Sequence, residues 1–307
     1  MMRRMLAWMI VVTVAAISCS CAATRVSTKR TIPAAIRPVA LDASREELLE
    51  KYNAVAQGVK SVNATVELKP TAGSQYSGII EEYHEVKAFL LAARPAKIRM
   101  IGQAPVIGKT IFDMNSDGQT FRVSIPSKNK FLVGSVTLER TSSKPIENLR
   151  PQHLLDTLLW PDVQKEETVL FEEFNDAGGR YYVLTVLRGG YQTEILRKIW
   201  FDRADLQVVR IQRYGPKGVL VSDSHFSDWQ PLIGDQEQVA AASGVTSFPR
   251  EIRIERPHDD YQLELAITKL MLNQEIPPDR FMLEQPAGTE LVNLGEEDKR
   301  PPKEPKP

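Results

Sequence analysis

Residues 168–270 contain a succession of short strand-like segments joined by turns, and this feature constrains the fold more than any other. The predicted strands are 168–174, 180–188, 192–202, 206–214, 218–229, 249–257 and 260–270. Turn-forming residues separate most of them, at 175–179, 202–205, 214–218 and 257–260. Because short turns join antiparallel neighbours, the pattern predicts one large antiparallel sheet rather than a sheet built from βαβ units.

Two amphipathic helices are predicted beside the strands. The first begins at Asp42 or Ser44, where Glu47 can complete a capping box with Ser44, and it ends near Gly58. The second begins at Ile146 or Pro151 and carries a leucine-rich face. Its apolar residues are Leu154, Leu155, Leu158 and Leu159, followed by Trp160 and by Pro161, which stops the helix.

The first half of the chain adds further predicted strands, at 61–68, 85–92, 96–102, 109–115, 119–125 and 131–133. The chain is therefore predicted to be mainly β with two or three helices, in the α+β class. A single antiparallel sheet of about a dozen strands curls strongly. We expect an open half-barrel whose concave side is covered by the helices.

The N-terminus has the pattern of a lipoprotein signal. Basic residues are followed by an apolar run from Met5 to Ile17, which is too short to cross a bilayer because spanning needs roughly 20 residues. The run ends at Ser18-Cys19 and resembles a bacterial lipobox, so Cys19 is the predicted lipidation site. Cys21 is the alternative site, and a cleaved secretory signal with incidental cysteines is the alternative interpretation.

Four regions are predicted from these patterns. They are a signal peptide at 1–18, a lipidated flexible tether at 19–41, a globular domain at 42–294 and a disordered, charged, proline-rich tail at 295–307. Diacylglycerol plus an N-acyl chain on Cys19 would anchor the chain firmly, because each buried CH₂ contributes about 0.8 kcal/mol.

The composition excludes several functional classes. The chain has 39 basic and 39 acidic residues, so there is no basic excess for nucleic-acid binding. Its two cysteines are Cys19 and Cys21, which leaves none for a disulfide or a cysteine-based zinc site in the domain. The four histidines lack metal-ligand spacing, and no catalytic or nucleotide-binding motif is present. We expect no enzyme activity, no metal and no cofactor, and a monomeric protein.

The connection between two predicted strands at 102–109 is unusually apolar. It places Val106 and Ile107 between Pro105 and Gly108, where polar residues are normal. Exposed apolar residues at a loop tip indicate insertion into a membrane or a partner. The alternative is that Val106 and Ile107 fold back onto the core.

The order of these segments resembles the bacterial lipoprotein-localisation family, LolA and LolB, over about residues 60–294. The resemblance is carried by Ala96–Gly102, by Pro105–Gly108, by the leucine-rich helix ending at Trp160-Pro161, and by Phe281–Leu291. The lipidated LolB-type receptors have an Asn-Pro-Leu-Gly loop at this point in the strand order. Ile107 stands where that leucine would be, with Val106 as an extra residue and Ala104 in place of Asn.

The resemblance implies a lipid-anchored protein of the outer membrane that faces the periplasm. It would bind acyl chains or acylated lipoproteins in an apolar concave sheet and assist their delivery to the outer membrane. Pro105, Val106, Ile107 and Gly108 would then form the transfer loop. The candidate pocket residues are Leu154, Leu155, Leu158, Leu159, Trp160 and Trp200. The alternative is a non-catalytic interaction or sensor module of the envelope on the same fold.

Overall fold

The computed structural model describes residues 39–74, 79–82, 84–104, 107–138, 148–176, 178–190 and 193–294. The predicted signal peptide, both cysteines, most of the predicted tether and the C-terminal tail lie outside the described residues. Among the described residues, no helix combines the length and apolarity needed to cross a bilayer.

Fifteen strands and three helices make up the described fold. The strands are β1 Ser61–Ser74, β2 Ile79–Glu82, β3 Val86–Ala93, β4 Lys97–Gln103, β5 Thr110–Ser116, β6 Thr120–Ile125, β7 Lys130–Ser135, β8 Thr168–Asn175, β9 Arg180–Arg188, β10 Glu194–Asp202, β11 Val208–Tyr214, β12 Leu220–Pro231, β13 Ser247–Arg256, β14 Tyr261–Leu272 and β15 Glu290–Asn293. The helices are α1 Arg45–Gly58, α2 Pro151–Leu158 and α3 Glu237–Ser243. The α+β prediction is confirmed.

All fifteen strands belong to one sheet. Its order is β15-β7-β6-β5-β4-β3-β1-β14-β13-β12-β11-β10-β9-β8, with β2 paired to β1. Strands β15 and β8 stand at opposite ends of this order, so the sheet that the structure describes is open. The hairpins predicted across 168–270 are all present.

One edge of the sheet corrects the prediction of a purely antiparallel sheet. Strand β15 pairs with β7 in parallel, from Glu290 opposite Lys130 to Asn293 opposite Val133. The preceding segment returns across β4 and β5, where Arg99 Nη1 donates to the carbonyl of Arg280 at 3.0 Å and Asn115 Nδ2 to that of Phe281 at 2.7 Å. It therefore reaches β7 by a crossover rather than by a hairpin, and a crossover produces a parallel pair.

Helix α1 begins as predicted, and its N-cap is Ser44 rather than Asp42. The Ser44 side chain accepts the Glu47 amide while the Glu47 carboxylate accepts the Ser44 amide at 2.7 Å, which completes the capping box. The helix ends at Gly58, where a Cβ atom would lie 2.5 Å from the carbonyl oxygen of Ser243 in α3. Gly58 is thus required for close packing between α1 and α3.

One face of the sheet carries the core and meets the helices. Along β14 the apolar side chains alternate as predicted from Tyr261 to Ile267, where Tyr261, Leu263, Leu265 and Ile267 are buried. Helix α1 contributes Leu48, Tyr52 and Ala56 to the same core. Helix α3, which lies between β12 and β13, was not predicted. It packs beside α1.

Candidate functional site

The β4–β5 loop presents an apolar side chain to solvent at its tip. The amide of Ala104 donates to the carbonyl of Lys109 at 2.9 Å, and that of Gly108 to the carbonyl of Ala104 at 3.0 Å, so the loop turns tightly. Gly108 has a φ of 61°, a conformation that glycine adopts without strain. The Ile107 side chain is 73% exposed, so this residue does not fold back onto the core. Pro105 and Val106 lie outside the described residues.

Helix α2 covers the apolar face of the sheet with the predicted leucines. Its candidate pocket residues Leu154, Leu155 and Leu158 are buried in the main core, together with the C-cap residue Leu159 and with Trp160. Trp160 lies among aromatic rings, with centroids 5.4 Å from Tyr52, 5.2 Å from Phe226 and 6.2 Å from Trp229. The structure therefore brings Leu154, Leu155, Leu158, Leu159 and Trp160 together, but as packed side chains rather than as the lining of an open trough.

Trp200 lies on the other face of the sheet. Its neighbours in β10, Ile199 and Phe201, are fully buried in the core, and side chains along a strand alternate between faces. The Trp200 ring instead contacts Phe174 and Tyr181, at centroid distances of 5.1 and 5.8 Å. The structure does not bring Trp200 together with the leucines of α2.

Polar contacts join the segment after α2 to α1 and to Arg94, the residue that follows β3. The Tyr52 hydroxyl donates to the carbonyl of Pro161 at 2.7 Å. The Arg94 guanidinium donates to the carbonyl of Val59 at 3.0 Å and to that of Trp160 at 2.8 Å. These contacts hold the ends of α1 and α2 next to each other.

A second set of polar contacts fastens α2 to the sheet. Asp156 forms an ion pair with Arg213 of β11, and the Thr157 and Ser224 hydroxyls are 3.1 Å apart in a buried contact. Apolar packing would hold a covering helix by itself. The buried hydroxyl pair adds a directional contact that is lost whenever the helix leaves the sheet.

The first turn of α2 borders a cavity of about 410 Å³ that has both polar and apolar lining residues. The polar and charged ones include Arg150, His153, Arg256, His258 and Asp259. The apolar residues are Val136, Leu138, Val219 and Val221. Sequence analysis missed this group because residues 148–153 and 256–259 are far apart in the chain and neither segment carries a recognisable motif.

Ion pairing and burial set the protonation state of His153 in this cavity. Arg256 Nη2 lies 2.7 Å from Asp259 Oδ2 and 3.2 Å from His153 Nε2. Burial, together with the charges of Arg256, Arg150 and Arg213, holds the pKa of His153 well below its usual value. His153 is therefore neutral at pH 7.

Residues Ser222–His225 lie in β12, where Asp223 makes polar contacts with β11. Arg210 Nε donates to Asp223 Oδ1 at 2.8 Å, and His225 Nε2 lies 3.3 Å from the same oxygen. Burial of Asp223 opposes its ionisation, but the hydrogen bonds from Arg210 and His225 outweigh it and lower the pKa of Asp223. In the described part of the chain, no group of three or more His, Cys, Asp or Glu could hold a metal ion.

No protein-family model matches this sequence, and no curated protein matches it. Among solved structures, the chain is similar to a LolA superfamily protein from Nitrosomonas europaea, with 13% identity, a TM-score of 0.45, and coverage of 79% of this chain and 99% of that one. It is also similar to a DUF1329 family protein from Desulfovibrio piger, with 14% identity, a TM-score of 0.46, and coverage of 76% and 94%.

A third similar structure is a domain from Vibrio parahaemolyticus described as an outer-membrane lipoprotein-sorting protein domain. Its identity is 13%, its TM-score 0.46 and its coverage 76% of this chain and 94% of that one. Of these three similar structures, the one from Nitrosomonas europaea is described as a LolA superfamily protein. With TM-scores below 0.5, these likenesses carry no argument about a ligand or a partner.

Proposed function

We propose that this chain is a lipid-anchored periplasmic protein that binds acyl chains or acylated lipoproteins on the apolar face of its open sheet and assists their delivery to the outer membrane. In this proposal the sheet curves into a half-barrel and Cys19 carries the anchor. Ile107 is the residue that contacts the membrane during delivery. The protein acts without catalysis and as a monomer.

The observation that carries the proposal is the pairing of a covering helix with an exposed apolar loop. Helix α2 and its C-cap, Leu159, place four leucines on the core face of an open sheet, and the β4–β5 loop leaves Ile107 73% exposed. An apolar surface under a short helix suits an acyl chain, because each CH₂ removed from water contributes about 0.8 kcal/mol. An exposed apolar loop tip suits contact with a bilayer.

Acyl binding requires α2 to leave the sheet, because its side chains fill the space that the acyl chain would occupy. The helix has only eight residues, and buried hydroxyls join Thr157 to Ser224 beneath it. An acyl chain would cover the apolar face of the sheet in place of the leucines, so that face stays out of water in both states. The cost of displacement is the exposure of the leucine side chains, together with the loss of the polar contacts that hold α2 and the segment after it.

A reversible cross-link between α2 and β12 tests this proposal. The Thr157 and Ser224 oxygens are 3.1 Å apart, so a T157C/S224C pair is close enough to form a disulfide with small adjustments. The assay measures binding of a fluorophore-tagged fatty alcohol, which is uncharged, to the full chain. We expect the oxidised double variant to lose binding and to regain it after reduction.

Each single variant and the wild-type chain, treated with the same oxidant, serve as matched controls. They contain Cys19 and Cys21 but lack the α2–β12 pair, so they should bind the probe before and after oxidation. Binding that survives a verified cross-link would contradict displacement of α2.

The packed state of the covered face supports a second candidate, a non-catalytic interaction module of the envelope. Leu154 and Tyr52 have at most 1% of their surface exposed, as in an ordinary core. Such a module would bind its partner on its outer surface and would leave α2 in place. It predicts that the fatty alcohol binds neither the wild-type chain nor the reduced double variant.

A further inference from the structure

Strand β8 is the last strand of the sheet order, and its outer edge pairs with no other strand that the structure describes. On its inner side it pairs with β9 along its whole length, from Thr168 opposite Leu187 to Asn175 opposite Arg180. In a strand paired on one side, alternate residues direct their amide and carbonyl groups to the open side. The outer edge of β8 is therefore a regular row of hydrogen-bonding backbone groups.

Strand β8 lacks several features that usually protect a sheet edge. Exposed edge strands are commonly short, are interrupted by a bulge or a proline, or carry lysine. At the opposite end of the sheet, β15 has four residues, whereas β8 has eight, and none of these eight is proline or lysine. The register of β8 with β9 also continues without a shift. The edge is thus open to pairing with another extended chain.

Large apolar side chains are exposed on both faces of β8. Leu170 and Phe174 share one face and are 55% and 41% exposed, and Phe171 lies on the other face and is also 41% exposed. The Phe174 ring contacts Trp200 at a centroid distance of 5.1 Å, and the Phe171 ring contacts Tyr182 at 5.2 Å. These contacts orient both rings, while the exposed part of each ring can be buried by a partner.

The charged residues of β8 are both acidic, and one of them faces no positive charge. Glu173 forms an ion pair with Arg203. Glu172 is exposed and lies opposite Val183 of β9, which in turn lies opposite Trp200 of β10, so its register neighbours are uncharged. A basic residue on an added strand would lie beside Glu172, and opposite charges on neighbouring strands stabilise a sheet.

We propose that the outer edge of β8 binds an extended peptide segment of a partner protein, which adds a strand to the sheet. The free backbone groups select an extended chain. Leu170, Glu172 and Phe174 follow one another on one face, so the residues of the segment on that face are apolar, basic and apolar. The partner is therefore recognised by a basic residue that has an apolar residue two positions before it and two positions after it.

This site goes beyond the proposed acyl binding and does not depend on it. Strand β8 is held in the sheet by its pairing with β9, so the edge is present whether α2 covers the sheet or has left it. The peptide site is compatible with acyl binding and also with the second candidate function, in which a partner binds the outer surface.

A synthetic heptapeptide, Thr-Val-Thr-Lys-Thr-Val-Thr, tests strand addition. It is blocked at both ends, and its sequence is the same in both directions, so it can pair with β8 in either orientation. Fluorescence anisotropy of the labelled peptide measures its binding to the full chain. A control peptide with methylated backbone nitrogens keeps the side chains and the charge but loses the amide donors. We expect the control to bind about tenfold more weakly or worse. Equal affinities, or no binding of the first peptide, would overturn the proposal.

Glu172→Lys tests the charge on the edge. We expect this variant to bind the lysine peptide about fivefold more weakly and to bind a peptide with glutamate in place of lysine more tightly. Glu264→Lys changes an exposed residue of β14 in the same way and should alter neither affinity. Damage to the fold would weaken the binding of both peptides, so opposite signs support the site, and equal signs or no change overturn it.

Hydrogen exchange measured by mass spectrometry locates the bound peptide. Saturating peptide should slow amide exchange within residues 168–175, because outward amides of β8 become hydrogen-bonded. Binding that protects only other segments would overturn the proposal. Sedimentation velocity tests a second copy as the occupant, and self-association of the chain that the peptide reverses would assign the edge to that copy and overturn the partner proposal.

The fatty alcohol assay keeps this inference separate from the proposed function. Glu172→Lys should leave fatty alcohol binding intact, because Glu172 shares the face of Trp200 rather than the core face. Peptide binding by a wild-type chain that fails to bind the fatty alcohol would overturn only the acyl proposal.

Discussion

The Tyr52 hydroxyl gives the sharpest test of whether α2 moves. Tyr52 is fully buried in α1 and donates to the carbonyl of Pro161, just beyond α2, at 2.7 Å. Burial raises the pKa of Tyr52 to about 12, so it remains a hydrogen-bond donor at every physiological pH. The contact joins the two helices and exists only while the segment after α2 stays in place.

Replacement of Tyr52 by phenylalanine removes the hydrogen bond to the carbonyl of Pro161 and keeps the aromatic ring. The ring remains stacked on Trp160 at 5.4 Å, so no large cavity forms. The carbonyl of Pro161 loses its partner, and we expect the free energy of unfolding to fall by about 1–3 kcal/mol. Urea denaturation followed by tryptophan fluorescence measures this, and an unchanged m-value shows that the two end states are comparable.

The same change should strengthen binding of the fatty alcohol. If the ligand binds the state in which α2 has left the sheet, then destabilising the covered state raises the population of the binding state. A loss of about 1.4 kcal/mol in the covered state corresponds to about a tenfold gain in affinity. Y52F is therefore expected to be less stable and to bind more tightly.

Tyr182→Phe is the matched control. Tyr182 is a buried tyrosine of β9 whose hydroxyl contacts Asp42 at 3.4 Å, away from α2, so its loss should not change affinity. Weaker or unchanged binding by Y52F, with its stability lowered, would refute displacement of α2 as the route to the acyl site.

Three further outcomes are expected. Ile107→Glu should change the free energy of unfolding by less than about 0.5 kcal/mol, because Ile107 is 73% exposed, yet slow transfer of the bound probe to liposomes; an unfolded variant would instead place Ile107 in the core. Cys19→Ala should move the protein from the membrane to the soluble fraction, whereas continued attachment would assign lipidation to Cys21. The free energy of unfolding should fall as pH drops below about 6.5, because the pKa of His153 is depressed in the folded state and the unfolded chain binds the extra proton; His153→Gln should flatten this dependence measured by urea denaturation, and an unchanged slope would assign it to other groups.

The local signals in the sequence predicted the hairpins and α1 well because each depends on residues close together in the chain. The Ser44–Glu47 capping box and the turns across 168–270 are of this kind. The parallel β15–β7 pair escaped prediction because it depends on contacts that Arg99 and Asn115 make with residues far along the chain. The same reason hid the cavity, since Arg150 and Arg256 meet only in the fold.

The spacing of the leucines in and next to α2 predicts burial but not what the buried face covers. Their spacing predicted a buried face, and all four are buried. The spacing could not tell whether that face covers a trough or fills it, because both arrangements bury the same residues. The distinction lies in the contacts that hold the helix, and here Thr157–Ser224 and Asp156–Arg213 join α2 to the sheet by polar groups. When the helix leaves, these polar groups can form hydrogen bonds with water instead. The apolar face of the sheet cannot, so another apolar group must cover it. A ligand that displaces α2 must therefore be apolar along the length of the helix.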